Sequence, residues 1–120
     1  MNSIPIYQVD AFSEKLFSGN PAAICIVKEW LPEEIMQSIA SENNLSETAF
    51  VNISLNPFYI RWFTPESEMG LCGHATLASA RILFDEYLEK NSSEIIFQAN
   101  RGKLRAIKEK DLIYLDFPKD

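Results

Sequence analysis

Between Ala75 and Leu88 the chain reads ATLASARILFDEYL, and its apolar residues Ala75, Leu77, Ala78, Ala80, Ile82, Leu83, Phe84, Tyr87 and Leu88 spread almost around the circumference of a helix. A helix apolar on nearly every face cannot lie on a surface, so the rest of the chain has to wrap it. Charge enters only at Arg81 and from Asp85 onward, which predicts that the far end of the helix emerges into solvent.

The wrapping material reads mostly as strands. SIPIYQVDAF alternates and is rich in β-branched and aromatic residues, FSGNPAA supplies a turn through Gly19, Asn20 and Pro21, and AICIVK follows as a second strand. Pro32 with Glu33 and Glu34 opens a short amphipathic helix carrying Ile35, Met36, Ile39 and Ala40, with Asn43 or Asn44 as its left-handed stop. TAFVNI and PFYIRWF predict two further strands. After the central helix, SEIIFQA, GKLRAI and DLIYLDF predict a three-stranded meander turning near Asn100–Gly102 and at KEKD. The expected fold is α+β, one domain over residues 1–120, with a mostly antiparallel sheet curled around the buried helix.

With 47% hydrophobic residues, the chain can bury a core without disulfides or a structural metal. Eleven Lys and Arg against seventeen Asp and Glu give a formal charge of −6, which disfavours nucleic acid and anionic membranes as partners. No signal-peptide pattern and no membrane-spanning stretch is visible, and Cys25 and Cys72 match neither a disulfide framework nor a CxxC pair. A cytoplasmic protein with free thiols is expected. There is no GxGxxG or GxxxxGK[ST], so neither a dinucleotide nor an NTP phosphate loop is indicated, and one His with two distant Cys makes no zinc set, so no metal is expected.

FTPESEMGLCGHAT, just ahead of the central helix, gathers reactive side chains. A helix starting near Gly73 presents unpaired N–H groups and a positive dipole end to a carboxylate or oxyanion, and Gly73 permits close approach. His74 is the only histidine, the side-chain type whose charge changes near neutrality, and a thiol at Cys72 can be acidified by the helix terminus. On these residues alone a structural role is favoured: a hydrogen-bonded histidine and a small core cysteine. Glu47 in NNLSETAF is open to two readings, a partly desolvated proton carrier or an ordinary solvated glutamate at a strand edge.

VDAF, GNPAA, NLSETAF, RWFTPESE, LCGHATLASA and LDFP, in this order, resemble the first half of the phenazine-biosynthesis isomerase family, the PhzF-like proteins. The likeness runs from about Tyr7 to Pro118. It implies a diaminopimelate-epimerase-like fold of two similar α+β halves, an active site between them, and cofactor-free proton abstraction and return at carbon. By position, Glu47 is similar to the family's general acid/base and His74 to its active-site histidine. The backbone of Gly73, Ala75 and Thr76 is expected to hold a substrate carboxylate, with Asn20 and Cys72 lining the cleft. Diaminopimelate epimerases carry a catalytic cysteine in a similar loop, but this chain offers no second catalytic thiol, so a two-thiol reaction is not expected.

The family's second half is absent from these residues. Two functions are therefore expected as alternatives: the N-terminal half of a PhzF-like isomerase acting on a small carboxylate-bearing metabolite, and a standalone or truncated non-catalytic domain that pairs with itself or binds a partner through the cleft face.

Overall fold

A computed structural model of the chain describes residues 4–10 and 21–117. Eight strands and two helices follow in the order β1 (Ile6–Asp10), β2 (Pro21–Val27), α1 (Glu33–Asn43), β3 (Glu47–Asn52), β4 (Phe58–Phe63), β5 (Glu68–Met69), α2 (Gly73–Ile82), β6 (Glu94–Ala99), β7 (Gly102–Glu109) and β8 (Leu112–Asp116). All strands belong to one sheet, ordered β1-β2-β3-β4-β6-β7-β8 with β5 paired to β4. Only the β2–β3 and β4–β6 pairings are parallel. The α+β architecture with a curled, mostly antiparallel sheet is thus the one expected, and β6-β7-β8 form the predicted meander.

The curl is visible in what α2 touches: it packs against β2 and β3 near one end of the strand order and against β8 at the other. The far edge closes in as well, because Tyr7 on β1 meets Tyr87 beyond α2, hydroxyl to hydroxyl at 3.0 Å. Alternation divides the central strands between two cores. Ala22, Ile24 and Ile26 of β2 and Ala49 and Val51 of β3 face α2, whereas Cys25, Val27 and Phe50 face α1, which buries Met36 and Ala40 on the convex side.

Both helices stop for local reasons. Asn44 adopts φ 54° and returns its N–H to the Ala40 carbonyl at 3.1 Å, the left-handed stop predicted for Asn43 or Asn44. Ile35, read as part of the buried stripe of α1, is 45% exposed. Beyond α2 the backbone widens into a π-helical segment, Leu83–Tyr87, and Leu88, read as helical, is already extended. Asp85 and Glu86 are exposed there, as their charge requires. Among the described residues no helix is long and apolar enough to cross a membrane.

Candidate active site

Glu47 is the first residue of β3, in register with Ala22 of β2. Because side chains alternate along a strand, Glu47 shares the face of Ala49 and Val51 and is directed toward α2, while Thr48 is turned to the other side. A carboxylate therefore stands, half-buried, at the end of the face that the central helix covers.

Opposite it is the start of α2. Cys72 occupies the N-cap in an extended conformation, φ −141° and ψ 99°, and is 8% exposed. Burial pushes its thiol up in pKa; the backbone N–H of Ala75 pulls it back, and the charge of the nearby Glu47 pushes it up again. The acidification open to a thiol at a helix terminus is thus outweighed, as the reading of a small core cysteine requires, since an apolar surround and a neighbouring carboxylate both disfavour the thiolate. Glu47, Cys72 and the first amides of α2, those of His74 and Ala75, form one polar group at the rim of an apolar core.

The remaining predicted site residues divide. Gly73 and His74 are half-buried at the helix start. A Cβ at position 73 would come within 3.0 Å of Phe117 Cζ, so glycine is what lets that ring close over the first turn. Ala75 and Thr76 are fully buried. Thr76 returns its N–H to the Cys72 carbonyl at 3.1 Å, and its hydroxyl donates to the same oxygen at 2.7 Å, so both of its donors are engaged within the protein. Asn20, with the rest of the Gly19–Asn20 turn, lies outside the described residues.

Sequence reasoning missed two neighbours of the site. Phe117, half exposed beside Gly73, had only an aromatic in LDFP as its signal. Trp62 is fully buried and donates its indole N–H to Thr76 at 2.9 Å; a tryptophan inside an aromatic strand gives no sign that its ring nitrogen reaches the helix. Cys25, in the α1-side core, has its thiol pushed up to about 12 by burial. The two thiols sit in separate cores on opposite faces of the sheet, so they do not form a reacting pair. Among the described residues no group of three or more His, Cys, Asp or Glu is placed to hold a metal ion.

Residues 9–118 match the family described as phenazine biosynthesis-like protein. An uncharacterised isomerase of Pseudomonas aeruginosa is 49% identical over 115 residues, covering 96% of this chain and 44% of that protein. A phenazine biosynthesis-like domain-containing protein of Mus musculus is 49% identical over 124 residues, covering 96% and 42%. The crystal structure of a PhzF-family phenazine biosynthesis protein from Enterococcus faecalis superposes with a TM-score of 0.88 at 50% identity, over 98% of this chain and 45% of that one. A predicted epimerase from Pseudomonas aeruginosa shares the fold at a TM-score of 0.70 and 25% identity, over 94% and 42%. The chain spans less than half the length of each of these relatives. With the match covering nearly every residue and half the aligned positions identical, this chain belongs to the phenazine biosynthesis-like, PhzF, family.

Proposed function

We propose that this chain is the N-terminal half of a cofactor-independent isomerase or epimerase of the cytoplasm, moving a proton at carbon of a small carboxylate-bearing metabolite. The observation that carries the reading is the placement of Glu47 on the concave face of β3 beside the N-terminal turn of α2. A carboxylate there takes a proton from carbon, the negative charge left on the substrate is stabilised by the positive end of α2, and the same carboxyl returns the proton. In this reading Gly73 and His74, half-buried at the helix start, meet the substrate, and Phe117, beside Gly73, is an apolar wall. The isomerase name of the Pseudomonas relative and the epimerase name of the structural neighbour support the reaction class. The remaining length of the relatives supports a second half closing over the site.

One observation favours a second role for the same face. Leu71 and Phe117, at the start of α2, are 44% and 50% exposed. Large apolar side chains at the mouth of a cleft suit a covering surface, either a second half or another copy of this domain.

Proton chemistry is tested by incubating small carboxylates bearing acidic C–H bonds in deuterated water with the protein at its natural length and with these 120 residues alone. Deuterium is expected at carbon with the first and not with the second. Incorporation by the isolated domain as a monomer would overturn the need for a second half. No incorporation by either, together with dimerisation in light scattering, would favour the binding role.

A further inference from the structure

The geometry points to Thr76 as a positioning residue that clamps the first turn of α2 to the sheet, so that Cys72, Gly73 and His74 stay opposite Glu47. The inference rests on the function proposed above, in which that turn faces the substrate.

Trp62 of β4 is in register with Ala49 of β3, two residues along the same face from Glu47. Its indole N–H donates to Thr76 Oγ1 at 2.9 Å. The hydroxyl's single proton goes to the Cys72 carbonyl at 2.7 Å, an oxygen that also receives the Thr76 N–H at 3.1 Å. A hydroxyl can donate once and accept twice, so Thr76 alone links a ring on the sheet to the N-cap of the helix, using one donor and one lone pair. Trp62 is 2% exposed and Thr76 0%, which keeps water from replacing either bond. In such a chain each bond polarises the next, and loss of the hydroxyl strands the buried indole N–H and leaves the Cys72 carbonyl with the Thr76 N–H.

Ser79, one turn further along α2, shows the difference. It is equally buried, but among the described residues its hydroxyl bonds only the Ala75 carbonyl, donating at 2.7 Å within its own helix. A buried hydroxyl is therefore not by itself the device; the bond arriving from Trp62 is.

The test is native-state alkylation of Cys72 by iodoacetamide, read by mass spectrometry at the peptide containing it, with global stability measured in parallel. Thr76→Val is expected to speed labelling about tenfold or more by local opening of the turn, whereas Thr76→Ser and Ser79→Ala stay within about twofold of the unmodified protein. Wild-type labelling in Thr76→Val, equal acceleration in Ser79→Ala, or failure of Thr76→Ser to restore slow labelling would each overturn the inference. Should Thr76→Val not fold, Trp62→Phe decides: it removes the donor and retains an aromatic ring. Roughly threefold faster labelling in Trp62→Phe supports the clamp, and an unchanged rate overturns it. Because the readout involves no turnover, a failure of Glu47 to carry protons would leave this result unaffected.

Discussion

Two groups of charged and polar side chains sit on opposite faces of the same sheet. On the convex face Arg61 holds Glu68 through two bonds of 2.8 and 2.7 Å, reaches Glu33 at 3.3 Å, and stacks near Trp30 and Phe63 at 5.7 and 5.6 Å. Its guanidinium is held further toward the charged form, first by the hydrogen bonding it donates to the Glu68 carboxylate. On the concave face, among the described residues, Glu47 has no cation paired with it and faces a thiol and helix amides instead. The first group is charge satisfied by charge, which anchors α1 and β5 to β4. The second, a carboxylate beside helix amides, is the arrangement on which the proposed acid/base role rests.

The two groups should therefore separate function from stability. The largest effect is on turnover: Glu47→Gln is expected to lower proton exchange with substrate by about 10²- to 10⁴-fold, while Glu68→Gln leaves it within about twofold, measured by deuterium incorporation. Equal losses would break the distinction.

Alkali probes the convex side next. Burial pushes the Cys25 thiol up to about 12 from an ordinary value of 9.0. Between these values the unfolded chain has lost a proton that the folded chain retains, so this contribution is complete below about pH 9 and declines as pH rises. Denaturant melts should show a loss of about 1.4 kcal/mol per pH unit attributable to Cys25, and Cys25→Ala should flatten that part of the slope.

A smaller difference in stability should run opposite to that in turnover. Glu68→Gln leaves Arg61, whose side chain is 21% exposed, with a weaker partner and should cost about 1 to 2 kcal/mol, whereas Glu47→Gln should change stability by less than about 0.5 kcal/mol. The smallest effect is on the thiol. Removing the Glu47 charge makes Cys72 more acidic, so Glu47→Gln should speed its alkylation about two- to fivefold at pH 8, by labelling kinetics.

Much of the architecture could be read in advance because its signals are local. An apolar circumference marked α2, alternation marked the strands, and the pair Asn43 and Asn44 marked the end of α1. β5, two residues long, is too short to show a period, and it exists because Glu68 and Met69 pair with Phe63 and Trp62 of β4. The π-helical turn after Ile82 carries the same apolar residues as a regular helix, so composition cannot announce it. The site was legible as residue types and not as an arrangement. Nothing local sets Glu47 beside Cys72, since the contact depends on β3 and α2 meeting across the curl. Nor could Thr76 be placed inward from sequence: on a helix apolar all round, rotational phase is set by the partner, here the Trp62 ring nitrogen.

The measurement that bears most directly on the central claim, that chemistry belongs to the concave group, is amide shift mapping with a small carboxylate ligand titrated into the protein at its natural length. Shifts concentrated at Glu47 and at Cys72 through Ala75, with Arg61 and Glu68 silent, are the predicted result. Shifts centred on Arg61 and Glu68, with the start of α2 unmoved, would contradict it.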